Sequence, residues 1–142
     1  MAECVFCAIV AGRLPAWKVA ESGRALAFLT IGPLAEGHTL VIPRTHAATI
    51  RDVPPREWAG VWDLVRSVSD RVIETGLGEG VNLLVASGRS AEQEVLHLHV
   101  HVVPRRAGDG IGFNAWLDGK VRSLSDARQQ EIARSLAGPS PR

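Results

Sequence analysis

The sequence predicts a single α+β domain, with about five strands in a mostly antiparallel sheet, one long helix and short helices near the two ends. Three observations lead there. Apolar segments of strand length, each bounded by glycine, proline or serine, recur from Trp17 to Val103. Residues 52–78 alone carry a long helical period. Finally, the 142 residues contain no repeat, low-complexity block or linker, and that length suits one domain with a substantial core.

In order, VFCAIVAG (5–12) reads as a short helix stopped by Gly12. WKVAES and ALAFLT flank Ser22-Gly23-Arg24 and read as a hairpin with a glycine turn. IGPLAEG is a loop, and HTLVIP a buried strand ended by Pro43. In 52–78, Asp52 and the prolines mark a start and Gly76 with Gly78 a stop. Trp58, Val61, Trp62, Val65, Val68 and Val72 recur at three- and four-residue steps, which puts them on one helical face. VNLLVAS is a further strand and GRSAEQE a loop. EVLHLHVHVV (94–103) is the last strong strand, which Pro104 is expected to end. In the tail, SLSDARQQEIARSLAG reads as a capped helix, with Ser123 and Asp126 spaced as a capping box.

Composition narrows the function classes. A 46% hydrophobic and 22% charged chain is ordinary for a soluble domain, and a net charge of +1 implies neither a nucleic-acid nor an acidic-membrane partner. No apolar run reaches the roughly 18 residues of a membrane helix. MAECVFCAIV carries an acid where a signal peptide would be basic, so a cytoplasmic protein is expected. The two cysteines, Cys4 and Cys7, are spaced C-x-x-C. In a reducing compartment that spacing points to a metal or redox role.

The chemistry concentrates in EVLHLHVHVV, which holds three of the five histidines. Strand side chains alternate, so His97, His99 and His101 share one face while Leu96, Leu98, Val100 and Val102 take the other. Same-face neighbours lie roughly 6.6–7 Å apart along a strand. Adjacent imidazoles therefore do not bond to one another, but each reaches a group lying over the strand. Such a row fits a three-histidine metal site, although no acid accompanies it. It also fits nucleophilic and acid–base work at phosphorus, one imidazole attacking and the others binding or protonating oxygens.

HLHVHVV resembles the H-x-H-x-H-x-x signature of the histidine triad (HIT) family of nucleotide hydrolases and transferases. VFCAIVAGRLPAWKV, GHTLVIPRTH and HLHVHVVPR resemble that family's blocks in order and separation, over about residues 4–110, with 111–142 as a C-terminal extension. The small bacterial Hint-like branch, usually homodimeric, is the most similar. The resemblance implies that His99 attacks the α-phosphorus of a nucleotide to give a nucleotidyl-histidine. His101 then contacts phosphate oxygens and helps the leaving group, with His38 in the same cluster. An imidazole near its ordinary pKa of about 6.5 would be neutral and able to attack without much tuning. Thr30, Ile31, Gln93, Glu94 and Val95 fall at substrate-binding positions. Some bacterial members also carry a Cys2His2 zinc site, whose pattern matches here at Cys4, Cys7, His46 and His97. Four protein ligands would make that zinc structural.

The chain departs from the family at three positions. Thr30 stands where an aspartate usually grips the ribose, Ala86 where a polar residue is frequent, and Glu94 where Ser or Thr is common. Two other readings follow from these. One is a zinc-stabilised nucleotide-binding or regulatory protein with little turnover; the other is a hydrolase of a non-adenylate phosphoester or phosphonate conjugate. Trp116 is expected to be a core or dimer-contact residue.

Overall fold

The computed structural model of the chain describes residues 3–112 and 121–138. The expectation for Trp116 lies outside them. The elements run α1 (Val5–Val10), β1 (Lys18–Glu21), β2 (Ala25–Leu29), β3 (Thr39–Pro43), α2 (Pro55–Glu74), β4 (Gly80–Val85), β5 (Val100–Arg105) and α3 (Asp126–Ala137). The strands form one sheet in the order β1-β2-β3-β5-β4, and every pairing is antiparallel. No helix among the described residues is long and apolar enough to cross a membrane.

All residues of β2 and β3 are buried, because both faces of the sheet centre are covered. On one face, Ala25, Ala27, Leu29, Val41, Val100 and Val102 pack beneath α2 and α3. On the other, Leu26, Phe28, Leu40 and Ile42 meet Phe6 and Ile9 of α1. The alternation that sends Val100 and Val102 under the helices turns His101 to the α1 face.

Helix α2 buries Val61, Leu64, Val65, Val68 and Val72. Trp62, placed on this face by its spacing, is instead exposed, and Leu64 takes the buried position. Its start is Pro54 with Pro55 at the first position, while Asp52 accepts hydrogen bonds from the Thr49 amide and hydroxyl and caps no helix. Helix α3 begins two residues later than the Ser123–Asp126 box. Its cap is Ser125, whose hydroxyl accepts from the Arg128 amide at 3.1 Å, while Asp126 lies in the first turn.

The histidine segment also differs from expectation. Regular β5 starts only at Val100, where β3 and β4 first pair with it through Val41 and Val85. Residues 97–99 lie upstream of the ladder and are tied by single bonds, such as Leu98 N–H to the Ala47 carbonyl at 2.8 Å. Nor does Pro104 end the strand. Pairing with β3 stops at Val102, so β5 has a free edge there and tolerates a residue without an N–H, while β4 pairs Val81 opposite it. The proline ring fills the space beside Gly37, whose φ of +88° suits a residue without a Cβ. That turn delivers His38 into the site.

Candidate functional site

Two constellations meet at the start of β5. In the first, Cys4 at the α1 cap, Cys7 one turn later, His46 after β3 and the wholly buried His97 converge. Their ligand atoms lie within 4.8 Å of one another. Cys4 Sγ is 3.4 Å and Cys7 Sγ 3.5 Å from His97 Nδ1, and Cys7 Sγ is 3.4 Å from His46 Nδ1. Tetrahedral zinc, with Zn–S of about 2.3 Å and Zn–N of about 2.0–2.1 Å, separates a sulfur from a nitrogen ligand by roughly 3.5 Å. The donor set and spacing therefore fit zinc. His97 Nε2 lies 2.8 Å from the Pro43 carbonyl, which fixes the proton on Nε2 and leaves the Nδ1 lone pair facing the thiols. A metal held by His97, His99 and His101 together has no support, since no such group forms among the described residues.

The second constellation contains His38, His99 and His101. His99 Nδ1 lies 2.8 Å from the His97 carbonyl. A carbonyl only accepts, so Nδ1 carries the proton and the Nε2 lone pair is left for attack. The Leu34 amide donates to His38 Nδ1 at 3.0 Å, so a neutral His38 is protonated at Nε2. That nitrogen is 3.0 Å from His101 Nδ1 and donates to it, which makes His101 Nε2–H a donor. The 4.9 Å between the His99 and His101 ring centroids is closer than strand spacing gives, because His99 precedes the ladder. Phe6 stands edge-on to His97 and His99, with centroids at 5.8 and 5.3 Å.

Burial keeps these rings neutral. It lowers His38 to about 4, with repulsion from a charged His99 second. His101 is lowered further, first by burial and then by His38 and His99. His99 is also lowered by burial, against the opposing pull of the His97 carbonyl and the Glu94 carboxylate. Its neutrality at pH 7 thus has a larger margin than a free imidazole would give.

Of the expected substrate contacts, Gln93 is buried and its amide is committed. Oε1 accepts from Gly88 N–H at 2.7 Å, and Nε2 donates to the Ala48 and Val95 carbonyls at 2.6 and 3.0 Å. It braces the loop before the triad. Val95 packs half-buried against the Phe6 cluster, and Glu94 between them is exposed. The Thr30 hydroxyl accepts from Gly32 N–H at 3.2 Å, and Ile31 is 91% exposed. A cleft of about 700 Å³ runs over β4 and β5, with Leu84, Val103 and Ile111 on its floor and Arg89, Glu92 and Glu94 at its rim; Ala86 also lines it.

Sequence reasoning missed the carbonyls of His97 and Pro43 and the amide of Leu34, since backbone groups leave no residue signature. It missed Phe6 too, though an aromatic between two cysteines is a visible cue. Gln129 of α3, buried and donating to the Thr30 carbonyl at 3.0 Å, gives none.

Comparison with known proteins bears on the family and the fold. The HIT domain profile matches residues 11–108. The chain is 40% identical to an uncharacterised HIT-like protein of Borreliella burgdorferi, covering 96% of this chain and 98% of that one. It is 33% identical to an adenosine 5′-monophosphoramidase of Candida albicans, covering 94% and 93%. Among solved structures, a zinc-bound histidine triad family protein of Mycobacterium smegmatis superposes with a TM-score of 0.83 at 39% identity, covering 94% of this chain and 90% of the other. A matching profile over most of the chain, relatives spanning nearly all of it and a common fold lead to one conclusion: the chain belongs to the histidine triad (HIT) family.

Proposed function

We propose that the protein is a nucleotide phosphoramidase, or a closely related nucleotidyl hydrolase or transferase, working through a covalent nucleotidyl-His99. The observation that carries this reading is the His99 Nδ1–H bond to the His97 carbonyl, which leaves the Nε2 lone pair of a neutral imidazole for attack. The phosphoramidase named among its relatives supports the same chemistry. In the first step the His99 Nε2–P bond forms and the P–N bond breaks, and the amine leaves with one proton taken from water. In the second, a water oxygen bonds to phosphorus, the Nε2–P bond breaks and the proton is returned. His101 Nε2–H donates to a phosphate oxygen and stabilises charge as it develops. His38 positions His101, and Gln93 holds the loop that carries Glu94 and Val95.

Cys4, Cys7, His46 and His97 would hold zinc in a closed four-ligand site, whose contribution is to folding. His97 joins the two centres: its ring belongs to the metal cluster and its carbonyl orients the nucleophile. Thiols kept for metal fit a reducing cytoplasm. We also place a homodimer contact along the outer edge of β4 on the helix side of the sheet, where Leu83, opposite Val102, is 44% exposed, since an apolar sheet edge invites pairing.

Turnover of a nucleoside 5′-phosphoramidate panel varying in base tests the assignment. Release of mononucleotide by the wild type and its loss in His99→Asn is the expected result. Equal, slow release by both proteins would leave the nucleotide-binding reading in its place.

A further inference from the structure

Glu94 sits where a carboxylate is costly for any enzyme that takes phosphate. Its backbone is fixed on both sides. Gln93 is buried and bonded to Gly88, Ala48 and Val95. Val95 is packed against the cluster of Phe6 and Leu40. Glu94 itself is exposed and faces the cleft over β4 and β5. It takes part in no ion pair among the described residues. Its charge nonetheless reaches His99.

The cleft lies on the same side of the sheet as His101. Leu84 on its floor lies directly opposite His101 in the sheet, and opposite residues of an antiparallel pair share a face. Other charges around the cleft do not cancel Glu94. Arg105 is spent on Asp109, at 2.9 and 3.1 Å, and on Asn82 at 2.6 Å. Glu92 adds a second carboxylate to the rim and Arg89 one cation, so among the described residues lining the cleft the unspent charge is net negative.

We propose that Glu94 is a specificity-determining residue that selects nucleotide conjugates by the charge of their leaving group. The cleft takes an amine with an apolar body and a second, cationic nitrogen, and disfavours anionic leaving groups such as carboxylate-bearing amines. The proposal rests on the phosphoramidase reading for its substrate class. At the exposed cleft rim, one carboxylate attracts a cation and repels an anion, both weakly because water and salt screen them, and so discriminates between the two by roughly tenfold.

Three nucleoside 5′-phosphoramidates test this, built on one amine scaffold that ends in an ammonium, a neutral amide or a carboxylate. Calorimetry measures their binding to His99→Asn, which cannot turn them over, and kcat/KM is read with the wild type. We expect the ammonium conjugate to be favoured over the carboxylate by about tenfold, the neutral one to fall between, and the preference to shrink as salt is raised. Adding Glu94→Gln should collapse the ratio to within about twofold, and Glu94→Asp should keep the ranking. An equal preference with and without Glu94, or none in His99→Asn, overturns the proposal. Charge-ranked binding by His99→Asn without wild-type turnover would instead refute the phosphoramidase reading and leave the role of Glu94 standing.

Discussion

Lowering the pH should destabilise the fold through His38 by an amount the structure fixes. His38 is 2% exposed, and burial holds it at about 4 in the native state, against 6.5 in the unfolded chain. A depressed histidine means that the unfolded state takes up protons first. The stability from keeping His38 neutral is therefore intact above pH 6.5 and is lost as pH falls towards 4. Each unit of difference is about 1.4 kcal/mol, so going from pH 7 to pH 5 removes roughly 2 kcal/mol through this residue. The assay is urea unfolding at pH 7, 6 and 5 of zinc-loaded wild type and His38→Gln, whose amide can still donate to His101 Nδ1. Taking the difference between the proteins cancels acid effects on the metal cluster. That difference should fall by roughly 2 kcal/mol across the interval. A difference that stays flat within about 0.5 kcal/mol would refute the burial of a neutral ring.

Three further outcomes follow from other parts of the fold. Chelation of zinc, or Cys7→Ser, should remove bound metal and lower the melting temperature; if free metal had been at 100 times its dissociation constant, the loss is about 2.7 kcal/mol, or roughly 10 °C. Elemental analysis with a thermal scan reads both. Gly37→Ala puts a Cβ at a φ of +88°, 3.2 Å from the Pro104 ring and 3.3 Å from Leu77. It should cost about 1–3 kcal/mol in denaturant unfolding and lower kcat, because His38 is the next residue. Gln93→Leu leaves the Gly88 amide and the Ala48 and Val95 carbonyls without their partner, a loss of about 2–4 kcal/mol, and should make the loop before the triad exchange amide hydrogens faster.

Periodicity located the long helix, and apolar runs with their turn and cap signals located the five strands and the two short helices, because burial on defined faces is what such patterns encode: Val61, Val65, Val68 and Val72 lie under the sheet as their spacing requires. They failed where tertiary partners decide. Trp62 has helical spacing but meets Trp58 edge-on at the rim and stays partly exposed, and Pro104 is admitted to β5 because pairing with β3 stops at Val102. The C-x-x-C and the histidines were visible as residues, and their convergence on a tetrahedral spacing followed from matching a known pattern. Which nitrogen of each ring carries the proton was illegible, since Leu34, Pro43 and His97 contribute through their backbones. Gln93 was visible as a residue, yet its commitment to three backbone partners belongs to the folded loop alone.

The most direct test is to trap the covalent intermediate, mixing the protein with a nucleoside 5′-phosphoramidate, quenching in alkali because acid cleaves a phosphorus–histidine bond, and mapping the mass shift by peptide sequencing. A nucleotidyl increment on His99, absent in His99→Asn and still formed in His101→Asn at a reduced rate, is the predicted result. Mononucleotide release with no increment on His99 at any quench time, or an increment on another histidine, would contradict it.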